Sequence, residues 1–180
     1  MRGPGLRAMR CPAGPGMTAV PPVTSGMLMD VPAETVYGFL SRLPNHRSMG
    51  GRRFRLESLA EDRLGAKIVI RGPLGIRRTV ETTITCLHPA RGVGGTAAIG
   101  RRTVAHVHWT IDAAGERSRV ALTATVLRIG ALDRLLLAAG GRRWLARSFH
   151  RVLTLLPGTI GAAAQHGTVP VIAPSAGQGD

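Results

Sequence analysis

The polar and apolar positions of this chain change period twice, and the changes divide it into readable elements. From Thr24 to Met29 a short strand pattern is interrupted upstream by Pro21 and Pro22. Asp30-Val31-Pro32-Ala33-Glu34 then reads as a helix start. Proline suits a first turn whose N–H groups lack partners, Asp30 is the expected cap, and Glu34 suits the positive helix N-terminus. Val36, Phe39, Leu40 and Leu43 follow at helical spacing, and Pro44 is expected to stop the run. After Gly50-Gly51 the period becomes two. Arg53 to Leu59, Ala66 to Arg71, Arg78 to Leu87, Val93 to Ile99, Thr103 to Ile111 and Arg119 to Leu127 each read as a strand, the fourth weak and Gly-rich. Turn signals such as Gly72-Pro73-Leu74-Gly75 and Ala113-Ala114-Gly115-Glu116 separate them, which predicts an antiparallel meander.

The last patterned segment is helical. Leu132, Leu135, Leu136 and Ala139 lie on one face, and Leu145, Phe149, Val152, Leu153 and Leu156 on another. At 3.6 residues per turn the two faces differ in direction by roughly 100°. Gly140-Gly141 sits where the face changes, so a kink is predicted there. Arg143, Arg147, His150, Arg151 and Thr154 form the polar face beyond it. One strand, one helix, six strands and a long helix imply an α+β domain with helices on one side of an antiparallel sheet. Residues 1–18, rich in Gly, Pro and Arg, read as a disordered N-terminal tail, 19–157 as the domain, and 158–180 as a flexible C-terminal tail. Met9 and Met17 are alternative starts.

Composition narrows the function classes. With 44% hydrophobic residues the chain is globular rather than disordered, and with 3% aromatics its core must be aliphatic. The net charge is +14, carried by arginine apart from the single Lys67. Such charge favours polyanions or anionic membrane surfaces. The arginines run through the whole chain and form no nucleic-acid-binding motif, so a nucleic-acid partner is not expected and membrane contact is expected to be weak. No stretch offers the ~18 uninterrupted apolar residues of a membrane span. Two cysteines, Cys11 and Cys86, make neither a disulfide framework nor a metal spacing. Cys86 reads as a small buried hydrophobe, and a reducing cytoplasm is the default compartment.

The element order resembles the START-like (SRPBCC) helix-grip superfamily, in particular its polyketide cyclase/dehydratase-like branch. Met29-Asp30-Val31-Pro32-Ala33-Glu34-Thr35-Val36-Tyr37-Gly38-Phe39-Leu40 resembles the family's opening strand and helix. Arg71-Gly72-Pro73-Leu74-Gly75 resembles its strand-turn region, and Trp109-Thr110-Ile111 with Gly115 and Ser118-Arg119-Val120-Ala121-Leu122 its last strand pair. The resemblance spans about residues 20–157; it departs from the family in lacking a tryptophan soon after the first helix and in the two prolines of the first strand.

The resemblance implies a curved sheet wrapped around the C-terminal helix, with an apolar ligand (lipid, polyketide, sterol-like or quinone-like) held between them and no cofactor. The expected ligand-facing set is Tyr37, Ile68, Ile70, Val80, Thr82, Ile84, Val107, Trp109, Leu122, Ala124, Leu145 and Phe149, with Cys86 on the same strand face. A cyclase/dehydratase would need an inward titratable group. Tyr37 is the first candidate, and His46, Glu81 and His88 are further ones. No paired carboxylates, Ser/His/Asp signature or Gly-rich phosphate loop appears. His106 and His108, two apart on one strand face, have the spacing of a metal-site seed but no companion ligand motif. They are therefore expected to be surface histidines, with no metal bound.

Overall fold

The alternation from Arg55 to Leu127 supplies six strands, and with the earlier strand at Val23–Met29 they build one seven-stranded antiparallel sheet in the computed structural model. The structure describes residues 20–49, 54–60, 64–72, 75–88 and 92–165. The expected N-terminal tail, residues 166–180, and Pro73-Leu74 of the expected turn lie outside the described residues. The strands are β1 (Val23–Met29), β2 (Phe54–Leu59), β3 (Gly65–Arg71), β4 (Arg77–His88), β5 (Gly92–Ile99), β6 (Thr103–Ala114) and β7 (Arg117–Arg128). Their order in space is β1-β7-β6-β5-β4-β3-β2: six strands form the predicted meander and the first closes onto the last. Pro21 and Pro22 stay outside β1, and their carbonyls accept hydrogen bonds from the Arg142 guanidinium at 2.6 and 3.3 Å.

Helix α1 (Ala33–Leu40) buries Val36, Phe39 and Leu40, the i, i+3, i+4 stripe that the sequence carries. Its N-cap is Pro32, with no side-chain cap; Asp30 stands outside, 3.8 Å from Arg117. At the other end, two side chains satisfy carbonyls the helix leaves over. Asn45 Nδ2 donates to Phe39 O at 2.9 Å, and His46 Nε2 lies 2.8 Å from Leu40 O. A single 3₁₀ turn, Leu43–Asn45, carries Pro44, and the short helix α2 (His46–Met49) follows.

The C-terminal helical region breaks where the two glycines predict. Helix α3 (Ala131–Leu136) and helix α4 (Arg142–Gln165) flank a π-type segment, Leu137–Gly141. Gly140 has φ +102°, a left-handed conformation that costs glycine little.

The expected tail from residue 158 is corrected: α4 runs through Pro157 to Gln165 and buries Leu156 and Ile160. Proline inside a helix costs about 3 kcal/mol. Burying a leucine and an isoleucine stabilises by roughly 1.5–3 kcal/mol each. The two residues thus offset the break, and the helix continues.

The core forms where α1 and α4 meet β1, β6 and β7. It holds Met29, Phe39, Leu40, Trp109, Ile111, Val120, Leu122, Phe149, Leu153 and Leu156 among others. The backbone of α4 approaches β1 most closely and β7 next among the strands.

Candidate functional site

Strand registers decide which side chains share a face. Val23, Ala124, Val107, Gly95 and Ile84 are successive cross-strand partners over β1, β7, β6, β5 and β4. One level along, Leu122, Trp109 and Val93 pair; on the other side of that row come Val126, Ala105, Ala97, Thr82 and Ala66. Ile68 pairs with Val80. The ligand-facing strand residues expected from the sequence therefore occupy one face, the one that α1 and α4 cover.

They differ in how far they are covered. Val80, Trp109, Leu122, Ala124 and Phe149 are buried, and all but Val80 belong to the core cluster. Tyr37, Ile68, Ile70, Thr82, Ile84, Val107 and Leu145 are half-buried. Gly95, Ala97 and Ala105 stand between the larger residues of this face, and side chains this small fill little space. On this face β3, β4 and β5 carry small and half-buried apolar residues, away from the strands that α4 approaches most closely.

Cys86 is not part of that face. A β-bulge between Ile84 and Cys86 shifts the register of β4, so Cys86 pairs with Gly94 on the outer side of the sheet. It is buried and disulfide-bonded rather than the reduced small hydrophobe expected. The cysteine argument for a reducing compartment loses its basis with that bond. The two histidines differ from expectation as well. His106 and His108 do lie on the outer face but are half-buried, and His106 Nε2 is shut off from solvent with no hydrogen-bond partner.

Two polar features touch the concave side. His46 sets its ring edge-on to Trp109, with centroids 6.5 Å apart. Because a carbonyl only accepts, the bond to Leu40 O places the proton on Nε2 and leaves Nδ1 as the basic nitrogen. Burial pushes the imidazole below its ordinary pKa, against a smaller opposing effect of the Leu40 bond. The ring is accordingly neutral at pH 7. Tyr37 is half-buried against the core, and burial raises its phenol pKa. Glu81 and His88 are exposed.

The second feature closes the end of the sheet nearest α3. Arg78 donates to Asp133 Oδ1 at 2.6 Å; the Thr103 hydroxyl donates to Asp133 Oδ2 and accepts from Gly130 N–H at 3.0 Å. This ties α3 to β4 and β6. Sequence reasoning missed it, although a signal exists: Asp133 is the only acidic residue between Glu116 and Asp180. A lone carboxylate in an arginine-rich stretch needs a fixed partner if half-buried. Along the other edge, Arg147, His150, Arg151 and Thr154 of the predicted polar face line an open groove of about 730 Å³ with Ser25 of β1.

His46 gives a pH-dependent stability. The unfolded chain takes up a proton near pH 6.5 that the folded chain refuses, so this group destabilises the fold as pH drops below about 6.5 and has no effect above it. The slope is at most about 1.4 kcal/mol per pH unit. His46→Gln keeps an N–H donor for Leu40 O and removes the titration. Urea midpoints at pH 7.5 and 5.0 should fall further for the natural chain than for the variant; equal falls would refute this role.

This arrangement is the START-like helix-grip fold: a curved antiparallel sheet gripping a long C-terminal helix, α+β as the sequence pattern requires. Solved structures agree. A protein from Thermus thermophilus superposes with TM-score 0.63 at 17% identity, over 80% of this chain and 99% of its own. A START superfamily protein from Mycobacterium smegmatis gives 0.56 at 10%, covering 78% and 97%. The Zhui aromatase/cyclase from Streptomyces sp. R1128 gives 0.56 at 16%, covering 81% and 94%. No family model and no curated protein matches the sequence. Among the described residues, no helix is long and apolar enough to cross a membrane.

Proposed function

We propose that the protein binds an apolar small molecule, of lipid, polyketide or quinone type, between the concave face of the sheet and α4. The observation that carries this reading is the half-buried apolar surface of Ile68, Ile70, Ile84, Val107 and Leu145 around the small residues Gly95, Ala97 and Ala105. Water over such a surface is displaced favourably, by about 25 cal/mol per Å² of apolar area before the costs of binding. The fold supports the reading by analogy, since a START superfamily protein shares it.

The test is binding of an environment-sensitive apolar fluorophore to the full chain. Val107→Trp places a bulky ring on the proposed binding face and should weaken binding at least about tenfold, the equivalent of ~1.4 kcal/mol. Leu28→Trp, on an exposed outer position of β1, should leave it unchanged. Equal affinity in both variants would place the probe elsewhere and reject the site.

A second reading, a cyclase or dehydratase, is favoured by His46 beside Trp109 and by the aromatase/cyclase among the structural neighbours. A neutral imidazole that holds its proton on Nε2 and a lone pair on Nδ1 has the chemistry of a general base. His46 replaces Tyr37 as the first candidate for that role. The charge-driven membrane reading has weaker support: exposed arginines stand on β2, β3, β4, β7, α3 and α4, so charge selects no single docking face.

A further inference from the structure

The sequence carries two apolar helical faces, and the core takes up only one of them. Phe149, Leu153 and Leu156 of α4 enter the core cluster. The other face, on α3, enters nothing: no residue of α3 is buried, and none packs against that cluster. Leu135 and Leu132 are 65% and 60% exposed, the two most exposed large apolar side chains among the described residues. Ala131 before them, and Ala138 and Ala139 after them, are exposed as well. The helix is nevertheless held in place. Asp133, between the two leucines, accepts hydrogen bonds from Arg78 and Thr103, and Gly130 N–H donates to the Thr103 hydroxyl at 3.0 Å. Gly140, at φ +102°, breaks the helix before α4, so the face of α3 need not follow that of α4 into the core.

The charge around this face is of one sign. Arg134 of α3, Arg128 at the end of β7, and Arg101 and Arg102 between β5 and β6 are all exposed. They stand close to the start of α3. The position that a Cβ on Gly130 would take lies 3.1 Å from Arg102 Cβ, and Arg128 donates to Arg101 O at 3.2 Å. The carboxylate of Asp133 is the only one between Glu116 and Asp180, and Arg78 already pairs with it. We propose that α3 docks the protein onto anionic lipid bilayers, with Leu132 and Leu135 entering the interface and the four arginines meeting the lipid phosphates. Charge alone selects no docking face; the leucines single out this one. Amphipathic helices with leucine on one face and basic residues beside it lie in the plane of a bilayer, and arginine stems reach along apolar surface to place their heads among phosphates. A second copy of the chain is disfavoured as the occupant, because it would set one arginine rim against another. Docking requires no ligand inside the domain, so it stands apart from the small-molecule reading.

The test is co-sedimentation of the full chain with vesicles of phosphatidylcholine alone and of phosphatidylcholine with phosphatidylglycerol. Binding should be at least about tenfold tighter to the anionic vesicles and should weaken as salt is raised. The double variant Leu132→Gln/Leu135→Gln keeps the charge and should weaken that binding by at least about tenfold. Leu28→Gln/Leu87→Gln, at two other exposed leucines on β1 and β4, should leave it within about twofold of the natural chain. Hydrogen exchange of the unaltered chain gives a second measurement that needs no variant: anionic vesicles should slow exchange in α3 and in the turn before β6, and not in β1. The proposal is overturned by absence of binding to anionic vesicles, by equal losses in the two double variants, or by protection that leaves α3 out. It is equally overturned if the chain without lipid forms a dimer that Leu132→Gln/Leu135→Gln dissociates, since a second copy would then cover the face.

Discussion

Replacing Leu153 with alanine should lower the unfolding free energy by about 2–5 kcal/mol, the range for large-to-small changes in a closed core. Leu153 is 0% exposed and sits on α4 one helical turn after Phe149, in the cluster that includes Phe39, Leu40 and Val120. The change removes the branched end of the side chain beyond Cβ. The surrounding residues come from α1, α4 and the sheet, so the space cannot close by moving one element alone. The control is Leu155→Ala, two residues away on the same helix but 45% exposed. It should stay within about 0.5 kcal/mol of the natural protein. Urea denaturation reads both. Equal midpoint shifts would mean that α4 does not present its Phe149–Leu153–Leu156 face to the core.

Gly92→Ala should be as damaging, for a different reason. Gly92 has φ +110°, and a Cβ there would stand 1.8 Å from the carbonyl oxygen of Trp109. The backbone strain costs about 1–3 kcal/mol. Forcing β5 away from β6 adds a further overpacking cost of about 1–3 kcal/mol. Together they predict a loss of roughly 2–6 kcal/mol and disturbed packing around Trp109, visible in near-UV circular dichroism. Gly115→Ala separates the two effects. Gly115 also has positive φ, +67°, but nothing within 4 Å of the added methyl group. It should lose only the conformational part, roughly 1–2 kcal/mol. If both glycines respond alike, the contact with Trp109 carries no weight.

Much of this fold is written in local periodicity. Alternation over Arg78 to Leu87 and Thr103 to Ile111 marks β4 and β6, because successive side chains of a strand must point to opposite faces. The stripe of Val36, Phe39 and Leu40 marks α1 by the same kind of argument at a period of 3.6. Gly140-Gly141 locates the break before α4, since the change of apolar face coincides with residues that weaken a helix. The one-sided distribution of Ile68, Val80, Thr82, Ile84, Val107 and Trp109 followed directly from this alternation.

Other features depend on residues far apart in the chain, and periodicity carries no information about them. The pairing of β1 with β7 joins Val23 to Ala124, and the Asp133 carboxylate joins α3 to Arg78 on β4. Pro157 stays inside α4 because Leu156 and Ile160 reach the core, which a local rule for proline cannot see. His46 was brought edge-on to Trp109 by a backbone turn that also caps α1. The single extra residue of the bulge in β4 moved Cys86 from the expected inner face to the outer one, beside His106 and His108. By itself the sequence determined which segments are strands and helices and which faces are apolar, because those follow from spacing along one element. Only the tertiary structure decided which faces are covered and which polar groups meet, because burial and contact are set by distances through space between elements that the chain order does not fix.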